Sequence, residues 1–173
     1  MIRLLALLLA AWSAFAAVPT PKSWFGHEIG ADKTVLDWSK VVGYFNELAK
    51  SSDRIKVEEL GKTADGRPFI AATIADADTL RHLDKYLAIQ ARLADPRKTT
   101  PAEAERLIVD GKTIVLLTCS IHATEIASTH TAVEYAYRLI TEDTPHNRAI
   151  LKDTILLLVP SLNPDGVDIV TKW

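Results

Sequence analysis

The chain has 173 residues, of which 48% are apolar, 7% aromatic and 24% charged, with a single Cys. That length suits one domain with its own core; the apolar content excludes a disordered or collagen-like chain, and a lone Cys excludes a disulfide scaffold. With 20 Lys plus Arg against 22 Asp plus Glu, the formal charge of -2 leaves no electrostatic footprint for nucleic acid or for an anionic membrane surface.

Residues 1–16 read as a secretory signal. Arg3 is the only charge before Lys22, Leu4 to Ala11 is an apolar run, and Ala14-Phe15-Ala16 is an A-x-A cleavage site. The run is short for a bilayer and Pro19 and Pro21 follow at once, so no membrane segment is expected after cleavage. No Cys follows the run to carry a lipid anchor. The mature chain is expected to begin at Ala17 and to work in a secreted or periplasmic location. Cys119 is then expected to be a free, buried thiol.

From Ala17 to Lys33 the chain reads as an extended lead-in, broken by Pro19, Pro21, Gly26 and Gly30. Leu36, Trp38, Val41, Val42, Phe45, Leu48 and Ala49 recur at helical spacing and predict an amphipathic helix from about Thr34 to Lys50. Ile55 to Leu60 and Phe69 to Ala75 predict two strands around a turn holding Asp65-Gly66, an antiparallel hairpin. Asp76 to Asp110 reads as a charged, Ala-rich helical insertion facing solvent, broken at Asp95-Pro96. Within it Thr100-Pro101 marks a fresh helix start.

The last third changes character. Thr113 to Thr118 and Thr154 to Val159 are continuously apolar, the pattern of strands covered on both faces. Between them, Ile121 to Ile140 and Pro145 to Lys152 read as helices. Strand, helix, strand predicts a parallel pair with a right-handed crossover.

Ligands in open α/β sheets bind beyond the carboxyl ends of parallel strands. Two polar clusters stand there: Cys119-Ser120-Ile121-His122-Ala123-Thr124-Glu125 and Pro160-Ser161-Leu162-Asn163-Pro164-Asp165-Gly166. His122 and Glu125, spaced H-x-x-E around a helix start, can aim an imidazole and a carboxylate at one point. Both are zinc donors, and catalytic zinc often takes two His and one Glu plus water. The same spacing also arises where a Glu merely favours the helix dipole.

No third ligand is evident. His130 lies about 140° round a helix from Glu125. His27, His82 and His146 sit in lead-in or surface segments, and neither H-E-x-x-H nor H-x-x-E-H is present. Ser120 lacks the G-x-S-x-G surroundings of a nucleophile, and Glu134 lies too far along the crossover helix to act as a base. Asn163 to Gly166 has the chemistry of a tight turn, with Gly166 accepting positive φ; alternatively, it shapes the floor of a site.

Gly66-Arg67-Pro68 opening a strand, then His122-x-x-Glu125, then Asn163-Pro164-Asp165-Gly166, resembles the zinc carboxypeptidases of the M14 type in motif, order and relative spacing. The resemblance covers about Leu36 to Trp173, most closely the large secreted bacterial members. It implies an α/β fold, a three-layer α/β/α mixed sheet incomplete at its C-terminal end, with residues 34–173 as the N-terminal part of a catalytic domain. It implies a zinc cofactor, His122 and Glu125 as its first two ligands, and hydrolysis of the C-terminal residues of peptides and proteins. The distal His, the carboxylate-binding arginines and Asn, and the Glu base would lie downstream. Other readings stay open: a secreted pseudo-peptidase or binding domain, or a zinc amidase or deacylase acting on small acyl-amino acids or peptidoglycan stems.

Overall fold

The computed structural model describes residues 17–173. The expected signal segment lies outside the described residues. No helix among the described residues is long and apolar enough to cross a membrane.

The lead-in departs from its extended reading. Thr20 Oγ1 accepts from the Ser23 amide at 3.1 Å and starts a short helix, α1 (Pro21–Phe25), ended by Gly26 at φ +83°. Phe25 packs edge-on against Tyr44, whose hydroxyl donates to the Pro19 carbonyl at 2.9 Å. The amphipathic helix is α2 (Trp38–Ser51). It begins four residues later than its periodicity predicts, because Asp37 caps the Ser39 and Lys40 amides. Its buried face carries Trp38, Val41, Tyr44, Phe45 and Leu48.

The hairpin forms as expected from β1 (Ile55–Lys62) and β2 (Pro68–Ile74), with a register shift between Glu59 and Gly61. The Asp76–Asp110 segment becomes α3 (Ala77–Arg81), α4 (Leu83–Leu93) and α5 (Pro101–Asp110), the last capped at Thr100 as predicted. This segment is not wholly a solvated insertion. Leu80 joins Ala75 and Ile155 in a small second core, with Leu83, Tyr86, Ile114 and Leu157 against it. Only α5 buries no residue.

Then come β3 (Thr113–Thr118), α6 (Ile126–Thr141), α7 (Pro145–Asp153), β4 (Thr154–Val159) and α8 (Pro164–Lys172). The sheet order is β1-β2-β4-β3. β3 and β4 are parallel in register from Thr113↔Thr154 to Thr118↔Val159, and β2 runs antiparallel to β4. Along β4 the pleat divides the side chains, since successive residues point to opposite faces. Leu156 and Leu158 enter the main core with α2 and α6; Ile155 and Leu157 enter the second core with α3 and α4. The architecture is therefore helix layer, mixed sheet, helix layer.

One expectation fails at β3. Its apolar run predicts a strand covered on both faces, yet Val115, Leu116 and Leu117 are 43%, 64% and 38% exposed. The cause is topological: among the described residues β3 pairs only with β4, and α5 leading into it buries nothing. The expectation holds at β4, which lies between β2 and β3.

Candidate metal centre

The parallel pairing brings the segments after β3 and β4 to one edge of the sheet, where backbone bonds knit them. The Cys119 amide donates to the Val159 carbonyl at 3.0 Å, and the Leu162 amide donates to the Cys119 carbonyl at 2.8 Å. Cys119 is free and partly rather than fully buried; that burial pushes its thiol pKa up, so it is a poor source of thiolate.

Helix α6 begins at Ile126, five residues later than predicted, so 119–125 is a loop. Ser120 is its bend, at φ +46° and 2% exposed. A left-handed conformation costs an L-residue about 1–2 kcal/mol, so it persists only where surrounding bonds hold it. Here the Ser120 hydroxyl donates to the Glu125 carbonyl at 3.0 Å and accepts from Thr129 Oγ1 at 2.8 Å. The Ser161 hydroxyl donates to the Ser120 carbonyl at 3.3 Å. A hydroxyl buried and engaged in this way is no nucleophile, in agreement with the missing elbow.

The loop delivers His122 and Glu125 to each other. His122 Nδ1 stands 2.8 Å from Glu125 Oε1, and the His122 amide donates to Glu125 Oε2 at 3.3 Å. Glu125 occupies the N-cap of α6 but makes no side-chain cap bond, because its carboxylate is turned to His122. The hydrogen bond from the His122 ring, then that from its amide, holds the Glu125 carboxyl below the usual range. Both side chains are open to solvent, 73% and 48% exposed.

An imidazole nitrogen and an ionised carboxylate meeting at a solvent-facing point fit two positions of a zinc site. Among the described residues no group of three or more His, Cys, Asp or Glu could hold a metal. The other histidines stand apart. His82 Nδ1 lies 2.9 Å from the Asp78 carbonyl and His27 Nδ1 2.9 Å from the Glu28 carbonyl. His146 is exposed on α7. His130 is buried in α6 with Nε2 lacking a hydrogen-bond partner among the described residues, and that burial pushes its pKa down. A groove of about 710 Å³ runs along α6 from Ile126 to Arg138, against residues 29–35. Neither donor lines it.

Asn163 to Gly166 is a helix start rather than a chain reversal. Asn163 Oδ1 accepts from the Gly166 amide at 2.9 Å, and Pro164 takes the first helical position, where no amide is needed. Gly166 is not at positive φ. It is needed for close approach: a Cβ there would lie 2.8 Å from the Ala123 Cβ. Asn163 Nδ2 also donates to the Ile121 carbonyl at 3.2 Å, so the first turn of α8 forms the floor beneath the His122 loop.

That floor is anchored to the hairpin. Arg67 donates to Asp168 at 2.8 Å, to Asp165 at 2.7 Å and to Asp65 at 2.9 Å. The Thr63 hydroxyl donates to Asp165 at 2.6 Å. The Thr63 hydroxyl, with Arg67 next, holds the Asp165 carboxyl low. Burial would raise Asp168, but Lys172 and Arg67 outweigh it and the net direction is down. In the sequence Gly66-Arg67-Pro68 stands only as a motif, and nothing next to it announces this ion cluster. Its signal was an Arg at a hairpin turn with acids placed i and i+3 on a helix, and only the fold brings those together.

The mixed sheet between two helix layers thus carries a His–Glu pair beyond the carboxyl end of a parallel strand. The family model described as zinc carboxypeptidase, peptidase M14, matches residues 41–173, and the chain belongs to that family. Among solved structures it is similar to carboxypeptidase A from Helicoverpa armigera, at 16% identity and a TM-score of 0.56, covering 87% of this chain and 32% of that one. It is also similar to thrombin activatable fibrinolysis inhibitor, at 15% identity and a TM-score of 0.53, covering 80% and 28%. These likenesses establish the fold, and the chain spans about a third of the length of those structures. No curated protein sequence matches it.

Proposed function

We propose that these residues form the N-terminal part of the catalytic domain of a zinc metallocarboxypeptidase, with His122 and Glu125 as two of its zinc ligands. The observation that carries this reading is the 2.8 Å approach of His122 Nδ1 to Glu125 Oε1 beyond β3, in a chain of the zinc carboxypeptidase family. The third ligand and the general base come from outside these residues, and the substrates are the C-termini of peptides and proteins. When bound, zinc lowers the pKa of its water and polarises the scissile carbonyl. The chain's own share is to hold two donors at a fixed spacing on a rigid floor. The hydrogen bonds from the His122 ring and amide hold the Glu125 carboxyl below its usual range.

Replacing His122 or Glu125 by Ala in the full-length protein should abolish stoichiometric zinc and the hydrolysis of an N-blocked dipeptide. Wild-type zinc content and turnover in both variants would contradict the reading. The 17–173 region expressed alone should show no turnover. Export is part of the same proposal: Arg3, the Leu-rich run and Ala14-Phe15-Ala16 support cleavage after Ala16, which N-terminal sequencing of extracellular or periplasmic material tests.

A further inference from the structure

Ser120 presents a contradiction of means. Its φ of +46° belongs to the region glycine occupies freely, and among the described non-Gly residues only Lys33 shares a positive φ. Yet a side chain is kept there, almost fully buried, in a loop whose other hydrogen bonds a glycine would leave intact. The Ser120 hydroxyl is the centre of a short chain. It accepts from Thr129 Oγ1 at 2.8 Å and donates to the Glu125 carbonyl at 3.0 Å. Thr129 is itself buried, and its oxygen lies 3.0 Å from the Pro160 carbonyl at the end of β4. The Ser128 amide also donates to the Glu125 carbonyl, at 3.1 Å. Both lone pairs of that carbonyl are thereby used, one by α6 and one by the bend that carries His122.

We propose that Ser120 is a positioning residue for the His122–Glu125 pair: its buried hydroxyl closes the 120–125 loop onto the Glu125 carbonyl and fixes the distance between the two donors. This rests on the zinc reading above. The His122 and Glu125 side chains are 73% and 48% exposed, and their hydrogen bonds are to each other and to the His122 amide. What holds them is the backbone from which they project. Residue 120 controls it from one end through its dihedral angle and from the other through its hydroxyl. Groups that orient metal ligands from behind commonly change metal affinity about 10–100-fold when removed.

Two substitutions separate the hydroxyl from the backbone strain. Ser120→Gly removes the hydroxyl and relieves the strain; Ser120→Ala removes the hydroxyl and keeps the strain. Zinc affinity of the full-length protein would be measured by competition with a chromophoric chelator, alongside thermal unfolding. In the metal-free protein, ring 15N shifts of His122 report its contact with Glu125. Ser120→Gly should unfold near the wild-type midpoint, bind zinc about tenfold more weakly or worse, and move the His122 ring shifts toward those of Glu125→Gln. Ser120→Ala should show the same zinc loss with a lower midpoint. Should Ser120→Ala fail to fold, Ser120→Gly carries the test, because glycine accepts this φ. Wild-type zinc affinity and unchanged His122 shifts in Ser120→Gly would overturn the proposal. Failure of the zinc reading looks different: His122→Ala and Glu125→Gln would leave zinc binding untouched, while the metal-free shifts would still decide the role of Ser120.

Discussion

The two edges of the sheet are built on opposite principles. β1 is an edge by composition: Lys56, Glu58 and Glu59 line it, and a register shift at Glu59/Gly61 bends its outer half. Charges and bulges are how proteins keep an unpaired strand from recruiting another. β3 is an edge by position alone. Thr113-Ile114-Val115-Leu116-Leu117-Thr118 has no charge, no proline and no bulge, and its middle residues face water. The difference teaches that β3 carries the composition of an interior strand, and that its six residues are suited to covering on the side away from β4.

The largest effect should come from matched truncations on the central and edge strands. Leu158 of β4 is fully buried in the main core, so Leu158→Ala should cost about 3 kcal/mol. Leu116→Ala on β3, already mostly exposed, should cost less than about 1 kcal/mol. Urea unfolding of both variants gives the numbers, and equal costs would erase the distinction between the two strands.

Next comes the anchor of the floor. Arg67→Ala leaves Asp165 and Asp168 without their shared cation and should lower the unfolding midpoint, with Arg67→Lys recovering only part because one ammonium cannot span the same acids. Denaturant midpoints of the two variants check this. A smaller effect is expected on association: Leu116→Lys should raise the soluble fraction several-fold at unchanged unfolding midpoint, while Glu59→Val on the β1 edge should lower it. Light scattering against concentration reads both.

The smallest effect is in pH. The carboxyls of Asp165, Asp168 and Glu125 all sit below their ordinary values in the folded chain. Their contribution is complete above the unfolded range near pH 4 and is lost as pH falls through the lower folded values. His130 adds an earlier loss. Burial, with His27 second, lowers its folded pKa, so the unfolded chain takes up the proton first and stability declines below about pH 6.5. Midpoints measured from pH 8 to pH 3 should fall in two stages, and His130→Gln should remove the first.

Much of this was legible in the sequence wherever one residue type decides a local structure. Asp65-Gly66 marked the hairpin turn, Thr100-Pro101 a helix start, and the H-x-x-E spacing a pair that does converge. What stayed hidden depended on partners distant in sequence. The apolar run of β3 could not reveal that α5 would leave it uncovered. Gly166 looked like a residue kept for positive φ, when it is kept small for Ala123. Arg67 meets acids about a hundred positions away. Around Ser120 nothing local announces a buried hydroxyl at a left-handed bend.

The central claim, that His122 and Glu125 hold zinc, is tested most directly by X-ray absorption on the zinc-loaded full-length protein and its His122→Ala variant. The wild type should show a nitrogen and oxygen shell at about 2.0–2.2 Å with imidazole scattering, and the variant should lose part of that scattering along with affinity. A sulfur shell near 2.3 Å, or a spectrum identical in the variant, would place the metal elsewhere and contradict the account.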